Sequence, residues 1–141
     1  MTRVGTNGRK RILLADDHAA MLEEVESLLR ADYRIVGSVE NGVDLVEAAQ
    51  RLKPDLIISD ISMPVMNGFE AAARIRAAGV TAKLIFLTVQ SGAPYVKKAR
   101  ALGADGYVLK AFTAEHLAAA VSAVLAGNPY ICPQLPQDAW L

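Results

Sequence analysis

Short apolar runs and amphipathic stretches take turns along the chain. Ile12, Leu13, Leu14 and Ala15 are uniformly apolar, the pattern of a strand buried on both faces. Met21, Val25, Leu28 and Leu29 follow at i, i+4, i+7 and i+8, one face of a helix. Arg34–Val39 reads as a second strand, rich in β-branched residues. Asn41-Gly42 turns the chain into a second helix with the inner stripe Leu45, Val46, Ala49 and Leu52, and Pro54 stops it from continuing. Leu56, Ile57 and Ile58 form a third strand, and Gly68–Ala77 a third helix, mostly alanine, with Phe69 and Ile75 as its large apolar residues. Residues 83–87 predict a fourth strand, and 96–102 the core of a fourth helix stopped by Gly103. Gly106–Leu109 is the fifth strand. Thr113 is expected to cap a fifth helix with Glu115 in its first turn, the stripe Leu117, Val121, Val124 and Leu125, and Gly127 at its end.

Five strands and five helices in strict alternation predict an α/β fold, a parallel sheet covered by helices on both faces. Residues 11–127 make up this unit. Residues 1–10, with Gly5, Asn7 and Gly8, read as a flexible arm. Residues 128–141 carry Pro129, Pro133 and Pro136 and read as an extended tail or a truncated linker.

Composition narrows the function classes. A chain of 141 residues with 52% hydrophobic and 21% charged residues has the makings of one globular domain. Fifteen basic and 15 acidic residues balance, which argues against nucleic-acid or membrane binding through the whole surface. Cys132 is the single cysteine, so no disulfide framework forms within the chain. No signal-peptide core and no apolar run of about 18 residues occur, so a soluble, cytoplasmic protein is expected.

The strand ends carry the chemistry. Doubly wound sheets bind ligands beyond the carboxyl ends of their strands, at the switch point, which in the order 2-1-3-4-5 lies between strands one and three. Strand one ends at Asp16 and Asp17, strand three at Asp60, strand four at Thr88 and strand five at Lys110. Three carboxylates converging there would repel one another and resist full ionisation. A hard divalent cation relieves that. Mg²⁺ takes oxygen ligands, keeps waters and pairs with phosphate oxygens. An aspartate beside such a cation, a lysine and a hydroxyl donor is equipped as a nucleophile toward a phosphoryl group. Asp60 is the expected nucleophile.

Asp16-Asp17 after strand one, Asp60 in Asp-Ile-Ser-Met-Pro-Val-Met-Asn-Gly, Thr88 and Lys110 together resemble the receiver domain of two-component response regulators. Leu-Leu-Ala-Asp-Asp-His and Gly-Tyr-Val-Leu-Lys look most like receivers whose regulators carry a C-terminal helix-turn-helix DNA-binding domain. The resemblance implies a flavodoxin-like (βα)5 sandwich with a five-stranded sheet. It implies Asp60 as phospho-acceptor, with Mg²⁺, or Mn²⁺ in its place, held directly by Asp17 and Asp60. Asp16 would act largely through water, and the Ser62 main-chain carbonyl adds a ligand. Thr88 and Tyr107 would form a switch pair, and Lys110 would contact the phosphoryl group. The implied donor is a sensor histidine kinase or a phosphotransfer protein, with room for a homodimer on phosphorylation. The output would be transcriptional, through a DNA-binding domain or partner outside this sequence. The alternative is a stand-alone receiver that acts on a protein partner.

Alone, each residue has an ordinary reading. Asp17 before a helix is more often a cap than a ligand, Lys110 more often solvated, and Tyr107 a half-buried strand aromatic. His18 and His116 read as solvent-facing helix residues, and Cys132 as inert. A Mg²⁺-dependent phosphohydrolase with an aspartate nucleophile would need a second acid two residues on, where Ser62 stands. A DNA-binding role for this chain itself fails on charge. The residue after Lys110 is Ala111, where many receivers have a proline preceded by a cis bond, so the sequence leaves the isomer of the Lys110-Ala111 bond open.

Overall fold

Period-two alternation divides each central strand between two cores. In the computed structural model, which describes residues 8–141, Ile12 and Leu14 of β1 (Arg11–Ala15) face one side, and Leu13 and Ala15 the other. Leu56 and Ile58 oppose Ile57 in β3 (Leu56–Ser59), and Ile85 and Leu87 oppose Leu84 and Phe86 in β4 (Lys83–Thr88). Helices α1 (Ala19–Leu29) and α5 (Thr113–Leu125) cover the first side with Val25, Leu29, Leu117, Val121 and Val124. Helices α2 (Gly42–Leu52), α3 (Gly68–Ala77) and α4 (Ala93–Ala101) cover the second with Leu45, Ala49, Ala72, Ile75 and Val96. Strands β2 (Arg34–Val39) and β5 (Gly106–Leu109) complete the expected parallel order β2-β1-β3-β4-β5. Of the arm expected over residues 1–10, only Gly8, Arg9 and Lys10 fall within the described residues, and they are exposed.

The sheet has a sixth strand. The stretch 128–141, expected as an extended tail or linker, turns back after Gly127 and adds β6 (Tyr130–Ile131) in parallel alongside β5. A short 3₁₀ turn, Gln137–Trp140, then packs on α4. Cys132, Leu135 and Ala139 are buried in the same core as Val96, Ala99 and Tyr107. Tyr107, which taken alone reads as a half-buried strand aromatic, is fully buried, and β6 makes β5 an interior strand.

Helix ends follow local chemistry. Asn41 and Asn67 cap α2 and α3 by accepting from the amides of Asp44 and Glu70. Thr113 does not cap α5. A 3₁₀ turn, Lys110–Phe112, runs straight into the helix, so Thr113 is already helical and its hydroxyl donates to the Lys110 carbonyl. The Lys110-Ala111 bond is trans. Gly68 is required by close approach, since a Cβ there would lie 2.1 Å from the Asp60 carbonyl oxygen.

Candidate functional site at the carboxyl ends of the strands

Backbone ladders carry the acids to their positions. The Asp16 amide donates to the Val39 carbonyl and the Asp60 amide to the Ala15 carbonyl, so both residues extend their strands by one step. Their side chains then emerge at the switch point between β1 and β3, and each residue is only 4% exposed. Ser59 donates its hydroxyl to the Asp60 carbonyl at 2.7 Å, and the Ile61 amide donates to Asp60 Oδ1 at 2.7 Å. These bonds fix both the backbone and the rotamer of Asp60. The neighbouring loop is tight. The Met66 amide bonds the Pro64 carbonyl two residues back, which places Val65 at φ 69° with its side chain in solvent.

Lys110 leaves the end of β5 and reaches across to the acids. Its Nζ lies 2.8 Å from Asp60 Oδ2 and 2.9 Å from Asp16 Oδ2, with its side chain 13% exposed. Burial alone would lower the pKa of this ammonium. Hydrogen bonds to Asp60 and Asp16, together with their negative charge, outweigh burial and raise it. Lys110 therefore stays charged and neutralises part of the cluster.

His18 was expected to face solvent, and its ring is mostly exposed. It nevertheless bends back over the acids, with Nδ1 3.1 Å from Asp16 Oδ1 and 3.1 Å from Asp17 Oδ1. The extended backbone at the start of α1 and a bond from the His18 amide to Asp16 Oδ1 hold it there. One ligand atom from each of Asp16, Asp17, His18 and Asp60 lies within 4.8 Å of the others. Three carboxylates at that spacing, with carboxylate oxygens free of Lys110, form a donor set that fits a hard divalent cation.

A family model, the response regulator receiver domain, matches residues 12–122. The chain belongs to that family. This receiver is 31% identical over 135 residues to the response regulator GacA of Pseudomonas aeruginosa, covering 91% of this chain and 61% of GacA. It is 36% identical over 116 residues to the chemotaxis protein CheY of Halobacterium salinarum, covering 82% of this chain and 97% of CheY. A solved two-component response regulator of the LuxR family from an Aurantimonas species superposes with a TM-score of 0.87 at 29% identity, over 94% of this chain and 96% of that one. The receiver thus spans less than two thirds of GacA but nearly all of CheY.

Two further residues of the receiver extend inward from the acids. Thr88 ends β4 fully buried, and its Oγ1 accepts from the Gln90 amide at 3.3 Å. Tyr107 donates its hydroxyl to the Gln90 carbonyl at 2.6 Å. Gln90 therefore ties both together through its backbone, while its side chain reaches the Ser62 hydroxyl at 3.4 Å. Burial pushes the Tyr107 phenol well up, and Tyr95 and Asp60 add to the shift. Gln90 stands two residues after Thr88. Its linking role runs through main-chain atoms, which no side-chain pattern reveals.

Proposed function

We propose that this receiver accepts a phosphoryl group on Asp60 from a phosphohistidine and passes the change to a surface read by a partner. The observation that carries the reading is one ammonium, Lys110, held between Asp60 and Asp16 in a buried acidic crevice at the switch point. Such an arrangement places positive charge beside the Asp60 carboxylate, where phosphoryl oxygens would arrive. Asp17 and Asp60 would hold Mg²⁺ directly, Asp16 through water, with the Ser62 main-chain carbonyl completing the set, and Mn²⁺ would suit the same oxygens. When bound, that ion supplies charge neutralisation for the transferring group.

The transfer itself needs little else from the protein. An Asp60 carboxylate oxygen forms the new O–P bond while the P–N bond of the phosphohistidine breaks. The imidazole nitrogen keeps the electron pair and takes a proton from solvent. Lys110 then exchanges its carboxylate contacts for a phosphoryl oxygen, and Thr88 turns its hydroxyl to donate to another. The donor is a sensor histidine kinase or a phosphotransfer protein.

The output is transcriptional, through a DNA-binding domain or partner outside the 141 residues, by way of association through α4, β5 and α5 or through α1 and α5. The likeness to a chemotaxis protein at 36% identity supports a second reading, a receiver that acts on a protein partner and not through DNA. Incubation with acetyl phosphate and Mg²⁺ should add one phosphoryl group by mass. Chelating the metal should abolish the addition, and Asp60→Asn should not be labelled. Equal labelling of the Asn variant would remove Asp60 from its role.

A further inference from the structure

The segment after α5 lies on the face where the output was expected. At the backbone, beside its pairing with β5, Tyr130 donates to the Asp105 carbonyl at 3.1 Å and Cys132 to the Tyr107 carbonyl at 3.0 Å. A two-residue edge strand belongs to the least stable part of a sheet. Side chains complete the attachment. Arg100 on α4 donates Nε to the Trp140 carbonyl at 3.1 Å, and its guanidinium sits 5.6 Å from the Trp140 ring centroid. Leu135 and Ala139 are buried in the cluster that includes Val96, Ala99 and Tyr107. Tyr130 bonds His116 of α5 at 2.7 Å. The segment thus touches α4, β5 and α5 and covers the β5 edge between them.

We infer that residues 130–140 are a built-in strap that closes the α4–β5–α5 face, and that modification of Asp60 loosens it. The inference rests on the phosphorylation reading above, and a chain of hydrogen bonds connects the strap to the crevice. Tyr107 meets the strap through its carbonyl and meets the loop before α4 through its hydroxyl, on Gln90. Gln90 in turn hangs on Thr88 through a single long bond of 3.3 Å. Turning the Thr88 side chain toward a phosphoryl oxygen carries Oγ1 away from the Gln90 amide and frees the loop that leads into α4. Helix α4 is the strap's seat, so its shift undoes the packing of Leu135, Ala139 and Trp140. The covered face then opens, with the β5 edge exposed.

The chain carries its own probes, since its single cysteine, Cys132, and single tryptophan, Trp140, both lie on the strap. The full chain is treated with beryllofluoride and Mg²⁺, and binding at the site is followed by its fluorine NMR signal. Thiol labelling of buried Cys132 should accelerate severalfold, and iodide should quench Trp140 more strongly. Hydrogen exchange in β1 should not accelerate. Asp60→Asn should show neither change. Arg100→Ala should label faster without beryllofluoride while still binding it. A bound fluorine signal with unchanged or slower labelling would overturn the strap and leave the phosphorylation reading standing. Absence of a bound signal would overturn both. Equal acceleration in β1, or an Arg100→Ala rate equal to the parent's, would also overturn the strap.

Discussion

Lys110 reaches two of the three acids, and among the described residues Asp17 pairs with His18, at a position where the Asp17 side chain is 34% exposed. Asp17 therefore adds negative charge to Asp16 and Asp60 without sharing their cation. Removing it should help the metal-free fold, because like-charge repulsion is relieved. Asp17→Asn is expected to melt at a higher temperature than the parent in chelator. The order should reverse with excess Mg²⁺, because the parent gains more binding energy from the ion. Thermal melts with and without Mg²⁺ check both halves, and a lower melting temperature for the variant in chelator would contradict a crowded acidic cluster. The residue-level site was legible because strand register decides where a side chain emerges. Asp16 and Asp60 follow apolar runs and so fall at the carboxyl ends. The same residue type has other work at the opposite ends, where Asp55 and Asp105 accept the amides of Arg11 and Leu84 and pin neighbouring strands. The reach of His18 was not legible, since a backbone turn aims its ring.

At the scale of elements, β5 is where sequence and structure part. Its four residues read as the last strand of the sheet, and an edge strand leaves an aromatic half-exposed. The following prolines read as an extended tail or a truncated linker. A strand of two residues has no period to detect, so β6 is invisible to pattern reading. Its presence buries Tyr107 completely and explains why the phenol resists ionisation. This has a consequence for pH. The phenol of the unfolded chain ionises near pH 10, whereas the folded one holds its proton to higher pH. The stability due to the buried neutral phenol is therefore fully present below about pH 10 and is lost as pH rises toward the folded value. Tyr107→Phe gives up the bond to the Gln90 carbonyl, at a cost of about 1 kcal/mol at neutral pH. It also gives up the alkaline loss. The stability gap between parent and variant should narrow as pH rises above about 10. Urea titrations at neutral and alkaline pH measure that gap, and a constant gap would mean that Tyr107 ionises in the folded protein as easily as in the unfolded chain.

At the scale of the whole molecule, the two cores are unequal in what they contain. The buried residues on the side covered by α1 and α5 all belong to elements that the hydrophobic pattern predicts, with Tyr130 of β6 packed against them. The side covered by α2, α3 and α4 also takes in Cys132, Leu135 and Ala139 from beyond the last predicted helix. If residues 128–141 were a detached linker, their apolar side chains would contribute nothing to folding. Leu135 tests this, because it is 4% exposed within the shared core and remote in sequence from every acid of the site. Leu135→Ala removes buried methyl groups and leaves a space that α4 and the 3₁₀ turn close only in part. Losses of this kind cost about 2–5 kcal/mol in a well-packed core. The lower end applies here, because the strap can lift away and relieve the void. The variant should unfold at lower urea in a single transition, and acetyl phosphate should still label Asp60, since the crevice draws on Asp16, Lys110 and the loop after β3 and not on the strap. Unchanged stability would show that the segment merely rests on the fold. Loss of labelling without loss of stability would show that the strap and the acidic crevice are coupled in the unmodified protein, before any phosphoryl group arrives.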